Sequence, residues 1–384
     1  MGLKSIRILF VNHGSQLGGA EYILLDIVRE LVERSCVWLF EDGPLRGQLE
    51  KVGVRTILCP SRHDLANLKR DRSLMRALPM LSGMISIVRE IAVASRAHDL
   101  IYANTQKAFV LSAVAAALAR RPLVWHLHDM LTVEHFGKSQ IKLVRILANR
   151  LAKRVIVPSD AVRMAFIRAG GKEDIVRVVP NGVTLPFWDG DRTVLRMQLG
   201  LPPGFIIGVF SRLAPWKGQH VLLQALASIP SASCLIVGGA LFGEDDYAAE
   251  LNHLAKALGV AHRTYFLGQR DDVPMLMRAV NVVVHPSVSP EPFGRTLVEA
   301  MLARTPIVAT ATGAVPEILA DGTGIMVPSA NVAALTAAIE MVQGQGAAMA
   351  AMVDRAEQRA REMFSSVRMQ TAIREIIRGL MVSV

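Results

Sequence analysis

Ile6-Arg7-Ile8-Leu9-Phe10-Val11-Asn12-His13-Gly14-Ser15-Gln16-Leu17-Gly18-Gly19-Ala20-Glu21 sets a short apolar run, a glycine-rich turn and the start of a helical pattern in that order. A buried strand followed directly by a turn and a helix is what such an order builds. Outward from it, further strand-like runs stand at 37–40, 55–58, 100–103, 123–127, 155–157 and 176–179, separated by segments of helical length. This alternation predicts a parallel sheet covered on both faces. After Pro180-Asn181-Gly182 the breakers Pro186, Trp188-Asp189-Gly190 and Pro202-Pro203-Gly204 mark a linker with one short helix. The pattern then restarts with strands expected at 205–210, 234–237, 264–267, 280–284, 306–309 and 325–327, and from Ala330 onward it is helical. The fold expected is α/β, two Rossmann-like units with a boundary near residue 185 and a ligand cleft at the carboxyl ends of both sheets.

A length of 384 residues suits two domains, and 51% hydrophobic with 20% charged residues excludes global disorder, collagen-like repeats and a disulfide-stapled miniprotein. Aromatics at 5%, with four Trp and four Tyr scattered along the chain, argue against a stacking platform for nucleic acid. The net charge of +10 is unevenly placed: residues 1–180 hold 27 Lys and Arg against 16 Asp and Glu, the remainder 16 against 17. The first half is therefore expected to meet something anionic, a phosphate-bearing acceptor or an acidic lipid surface before nucleic acid. Cys36, Cys59 and Cys234 sit in or beside apolar runs without CxxC spacing, which reads as buried, reduced thiols rather than a zinc site. Residues 1–11 are too short an apolar stretch for a signal peptide, and the longest uncharged apolar run, 108–119, is shorter than the roughly 18 residues of a spanning helix. A cytoplasmic protein, soluble or peripheral, is expected.

Three clusters carry chemistry. His13-Gly14-Ser15-Gln16-Leu17-Gly18-Gly19 stands at a strand-to-helix turn, where backbone N–H groups and the helix dipole favour phosphate. It lacks the Lys and Ser/Thr of a P-loop and the spacing of a dinucleotide fingerprint, so a plain tight turn stays open beside the phosphate reading. Ser211-Arg212-Leu213-Ala214-Pro215-Trp216-Lys217-Gly218 follows a strand and sets Arg and Lys five apart. The fork of one and the point charge of the other suit a diphosphate, although solvated surface cations are the alternative. Pro286 to Glu299 places Glu291 on a Pro-rich loop and Glu299 inside an apolar helical pattern. Each carboxylate accepts two hydroxyl hydrogen bonds, which suits hydroxyl recognition at two points.

Gly18-Gly19-Ala20-Glu21, His128-Asp129, Pro180-Asn181-Gly182-Val183, Arg212 with Lys217-Gly218, and Glu291-x-Phe293-Gly294 through Glu299 together resemble, in order and spacing, the retaining nucleotide-sugar glycosyltransferases of family 4, which have the GT-B fold. The likeness spans almost the whole chain. It implies an acceptor-binding domain at 1–183, a nucleotide-sugar domain at 184–365 and a helix at 366–384 returning to the first domain. It implies that Glu291 contacts the donor sugar, Glu299 the ribose, and that Arg212 and Lys217 clamp the diphosphate, with Gly18 and Gly19 against it from the other lobe. Phe293, Gly294, Arg295, Thr296 and Leu297 complete the donor motif, Arg270 and Asp272 fall near the base, and His128 touches the transferred sugar. His126, two residues earlier on the same strand face, is assigned a structural role. One departure is visible: Ser211 replaces the glycine that commonly precedes the arginine.

The resemblance further implies a metal-independent, retaining transfer in which the departing diphosphate of a UDP-sugar or GDP-sugar accepts the acceptor's proton on the same face, with no other cofactor. Lys138, Lys142, Arg145, Arg150, Lys153 and Arg154 stand without an acid among them. Helical spacing sets Lys138, Lys142, Arg145 and Lys153 along one side and Leu143, Leu147 and Leu151 along another. Arg62, Lys69, Arg70, Arg72 and Arg76 precede an apolar stretch at 78–88. Both are candidates for an anionic membrane surface, the 62–88 region the better one, while an ordinary domain helix with a solvated face stays open for 138–154; a lipid-linked saccharide of cell-surface polysaccharide or lipopolysaccharide synthesis is the favoured acceptor. A two-lobed nucleotide-sugar epimerase and a non-catalytic nucleotide-sugar-binding subunit are the alternatives.

Overall fold

The computed structural model describes residues 6–31, 34–60, 74–185, 190–240 and 244–382. The chain divides into two compact units, Met1–Gly182 with Val367–Val384, and Val183–Ser366. Pro186 and Trp188 of the expected linker, and residues 62–73 of the second basic stretch, lie outside the described residues.

In the first unit β1 (Ile8–Asn12), β2 (Ser35–Leu39), β3 (Arg55–Leu58), β4 (Leu100–Ala103), β5 (Leu123–His126), β6 (Arg154–Val157) and β7 (Val176–Val178) form one sheet in the order β3-β2-β1-β4-β5-β6-β7. Every pairing is parallel. β1, β2, β4 and β5 are buried at every position, as a sheet covered on both faces requires. One face packs against helices Leu74–Ser95, Gln106–Ala119 and Lys138–Leu151, where Phe109 stacks on Trp125 with ring centroids 4.2 Å apart. On the other face lies helix Gly19–Arg29, with the chain's last helix, Ser366–Val382.

That last helix belongs to the first unit because Met369, Ile373, Ile377 and Leu380 repeat at helical spacing and are buried among Phe10, Ile23, Leu24 and Ile27. Gln370 Nε2 donates to Asp26 O at 2.6 Å. Ile377 is wholly buried. Ile377→Ala is therefore expected to destabilise the first unit by about 2–5 kcal/mol, read as a lower midpoint in a denaturant titration.

The basic helix differs from expectation. It ends at Leu151, so Lys153 falls beyond it, where its N–H donates to Leu123 O in the turn to β6. The buried line runs through Val144 and Ala148, while Leu143 is 48% exposed. Val144 and Ala148 join the core that helix Gln106–Ala119 supplies with Phe109, Ala113 and Ala116, and Leu147 and Leu151 pack against the same core. Cys36, Cys59 and Cys234 are buried and held in no disulfide. Among the described residues no helix is long and apolar enough to cross a membrane.

In the second unit β8 (Phe205–Phe210), β9 (Ala232–Val237), β10 (Thr264–Gly268), β11 (Val282–His285), β12 (Ile307–Thr310) and β13 (Ile325–Val327) form a parallel sheet ordered β10-β9-β8-β11-β12-β13. Strand order reverses between β1 and β4 in the first sheet and between β8 and β11 in the second. The loops leaving the carboxyl ends of strands at such reversals diverge and leave room for a ligand.

Candidate functional site

The loop after β8 carries Arg212 and Lys217. A single turn, Pro215–Lys217, is closed by Gly218 at φ +71. A Cβ on Gly218 would sit 2.0 Å from Pro286 O, so this loop presses directly on the loop after β11. Val288 N–H donates to Trp216 O at 2.8 Å and fastens the two loops. Gln219, wholly buried, donates from Nε2 to Ser211 Oγ and to Arg212 O, each at 3.0 Å, and so fixes the backbone that carries the arginine. The Trp216 ring gathers the cations: Lys217 Nζ lies 4.1 Å and Arg212 Cζ 5.5 Å from its centroid.

The loop after β11 brings Glu291 to the same place. Its Oε2 accepts from Lys217 Nζ at 2.7 Å, His285 Nε2 at 3.1 Å and Ser287 Oγ at 3.2 Å. Burial by itself would push this carboxyl up, but the Lys217 ammonium and the His285 hydrogen bond outweigh it and hold Glu291 well below the usual carboxylate range. Ala314 N–H donates to Glu291 O at 2.8 Å, and a Cβ on Gly313, at φ +58, would come within 2.2 Å of that oxygen. Glu291 is thus clamped from both its side chain and its backbone.

Glu299 lies on helix Arg295–Leu302, where Arg295 Nε donates to its Oε1 at 2.8 Å. Burial raises the Glu299 carboxyl, and Arg295 offsets this only in part. Thr296 reaches His285 Nδ1 at 3.4 Å, which couples the helix to the Glu291 loop. Phe293 and Leu297 are buried in the core, Phe293 edge-on to Phe364 at 5.7 Å. Only their main-chain groups remain for a ligand, as at Gly294, the helix cap. Arg270 and Asp272, on the loop after β10, form a two-pronged pair with each other at 2.8 and 2.6 Å. Lys217 and Glu291 are therefore in contact and Arg212 joins them through Trp216, whereas Arg270–Asp272 and Arg295–Glu299 form separate pairs.

In the first unit Gly18 caps helix Gly19–Arg29, and its N–H donates to Glu21 Oε2 at 3.2 Å. Behind the turn runs a polar chain across the carboxyl ends of β1, β4 and β5. Asn12 Nδ2 donates to Gly14 O and Glu21 Oε1, Asn104 Nδ2 donates to Asn12 Oδ1 and Ala20 O, and Asn104 Oδ1 faces His128 Nε2 at 3.0 Å. With both Asn104 amide hydrogens given away, its oxygen must accept, so Nε2 of His128 carries the proton and Nδ1 is bare. Burial pushes His128 down to about 3 and His13 down to about 4. His126, its ring tilted 36° to that of His128 at 4.0 Å and bonded through Nδ1 to Tyr102, is held well below its usual value by burial and by His128.

These shifts have a definite sign. A histidine whose folded pKa lies below its unfolded one is neutral in the fold and charged in the unfolded chain, so stability is lost as pH falls through about 6.5. At pH 5.5 each such group costs up to about 1.4 kcal/mol. Glu21, which burial raises, opposes the trend at lower pH. The thermal midpoint is expected to fall between pH 7 and 5.5, and His128→Gln to flatten that slope. An unchanged slope would show that His128 does not titrate in this window.

His285, Ser287 and Gly313 are not among the site residues expected from the sequence. The first two carried a signal, standing six and four residues before Glu291 at a strand end. Gly313 carried none, because its role depends on a contact 22 residues away.

In both parallel α/β units polar or charged side chains thus stand at the strand-order reversal, where open α/β folds hold their ligands. Residues 18–182 match the glycosyl transferase 4-like domain and residues 191–359 the glycosyl transferases group 1. The chain is 38% identical to Anabaena HepE crystallised with UDP and glucose, covering 97% of this chain and 99% of that one with a TM-score of 0.87. The same protein crystallised with UDP-glucose gives a TM-score of 0.86 at 38% identity, over 97% of this chain and all (100%) of that one. A D-inositol 3-phosphate glycosyltransferase of Mycolicibacterium gilvum is 39% identical over 151 residues, 38% of this chain and 34% of its own length. Matches to the curated relatives span about a third to a half of their lengths, 34% in that protein and 45% in its Mycobacterium marinum counterpart. The chain belongs to glycosyltransferase family 4, with the GT-B type of two-domain α/β fold.

Proposed function

We propose that this protein is a retaining glycosyltransferase that moves a sugar from a nucleoside-diphosphate sugar to a hydroxyl of an acceptor. The observation that carries the reading is the buried Lys217–Glu291 pair, set with Arg212 where β8 and β11 part. Cations there suit a diphosphate and the carboxylate suits sugar hydroxyls. Glu299 is assigned to the ribose, Arg270 and Asp272 to the base. On the first unit, the Gly18 and Gly19 N–H groups are assigned to phosphate and neutral His128 to the transferred sugar.

In the proposed reaction the bond from the anomeric carbon to the diphosphate oxygen breaks while a bond to the acceptor oxygen forms on the same face. The acceptor's proton passes to the departing phosphate oxygen, and Arg212 and Lys217 stabilise the charge that develops there. The proposed transfer uses no metal ion or further cofactor. The crystallised relative's UDP and UDP-glucose make a UDP-sugar the first donor to try. The basic surplus of residues 1–180 supports an acceptor bearing phosphate, and we place a lipid-linked saccharide at an anionic membrane surface on the cytoplasmic side first. The inositol phosphate of the mycobacterial relatives' name fits the same charge.

A thermal-shift panel of UDP, GDP and ADP with their sugar conjugates tests the donor class, since a ligand of the native state raises the midpoint. A selective rise in one series is expected. Proton NMR of the product should then show the donor's anomeric configuration retained. Conversion of the free nucleotide sugar without acceptor would favour an epimerase, and binding without turnover a non-catalytic subunit.

A further inference from the structure

We infer that His285 is a positioning residue, which holds the Oε2 edge of Glu291 so that Oε1 is presented to the donor sugar when Lys217 turns to the diphosphate. The inference rests on the donor-site reading above. All three side-chain bonds to Glu291, from Lys217, His285 and Ser287, end on Oε2. A carboxylate oxygen with three donors has no lone pair to spare, and the other oxygen is the acceptor that remains.

Lys217 cannot serve both partners equally. When a diphosphate draws its charge, Glu291 loses its closest partner while only 7% exposed, and a buried carboxylate without compensation is costly. His285 and Ser287 are the donors that stay. They stand at the end of β11, where Thr310 of β12 donates from Oγ1 to Ser287 O at 2.6 Å and to His285 O at 3.4 Å. The imidazole is oriented from its second nitrogen as well, by Thr296 Oγ1 on the helix that carries Glu299. Nε2 lies 3.1 Å from both the carboxylate and Ser287 Oγ, so the ring and the serine brace each other as well as Glu291. One ring thus sets the angle of Glu291 relative to the helix of Glu299.

Calorimetric titration with UDP and with UDP-glucose separates this role from a merely structural one, because UDP lacks the sugar that Glu291 would hold. His285→Leu is expected to leave UDP affinity within about twofold of wild type and to cut the advantage of UDP-glucose over UDP about tenfold, the value of one charge-assisted hydrogen bond. His285→Gln, which keeps an amide donor, should recover most of that advantage. Ser287→Ala should act in the same direction and more weakly. If His285→Leu does not fold, His285→Gln and Ser287→Ala decide the matter by the same ratio. An unchanged UDP-glucose advantage, equal loss for both ligands, or no recovery with glutamine overturns the inference. A wild-type protein that binds neither ligand overturns the donor site itself and this inference with it, whereas UDP binding with none of these sugar-specific changes leaves the site and rejects only His285's role.

Discussion

Glu291→Gln should lower kcat/KM for sugar transfer on the order of a hundredfold while the protein stays folded. Glutamine keeps the shape and one acceptor oxygen but loses the charge, and removal of one preorganised polar contact to a reacting group costs about two to three orders of magnitude. Alanine is the worse probe. The sequence placed Glu291 on a Pro-rich loop, but the carboxylate is buried and paired with Lys217, whose side chain is 12% exposed. Truncation strands that ammonium, and breaking such a pair from one side costs about 3–5 kcal/mol. Glu291→Ala should therefore lose stability as well as activity, and steady-state kinetics beside a thermal melt will separate the two. Near-normal transfer by Glu291→Gln would remove the residue from the reaction.

Gly218→Ala should be nearly as damaging, from a position that contacts no ligand in the proposed mechanism. The residue has φ +71, which costs any L side chain roughly 1–2 kcal/mol. The added methyl would also meet Pro286 O at 2.0 Å, and a backbone carbonyl cannot swing away as a side chain can. Relief requires the β8 loop to move off the β11 loop, which parts Lys217 from Glu291. Gly259→Ala is the matched control, since it has φ +69 and nothing within 4 Å of the added Cβ. The control should lose about 1–2 kcal/mol and keep donor affinity. Gly218→Ala should lose more stability and at least tenfold in diphosphate affinity. Equal behaviour of the two variants would mean that the loops do not need that close approach.

The alternation of short apolar runs with helical segments was enough to read two parallel α/β units, because strands buried on both faces are apolar throughout and their helices carry the punctuation. The basic helix was read less well. Periodicity set Leu143, Leu147 and Leu151 along one side, yet Val144 and Ala148 are the fully buried residues, with Leu147 and Leu151 packed at the edge of the same core and Leu143 exposed. The choice is made by the neighbouring helix and not by the segment itself. In the site, Lys217 and Glu291 were legible by motif, but their contact was not, since it depends on two loops 74 residues apart being pressed together at Gly218. His285 was passed over because a histidine at the end of an apolar strand looks like core until its hydrogen-bond partners are known.

Titration of the wild type and Lys217→Ala with UDP tests the central claim most directly, that the β8 loop holds a nucleoside diphosphate. The account predicts saturable binding by the wild type and at least a tenfold loss in the variant, with the second unit still folded by its thermal transition. Equal affinity in both proteins, or no binding of UDP, GDP or ADP by the folded wild type at millimolar concentration, would contradict it.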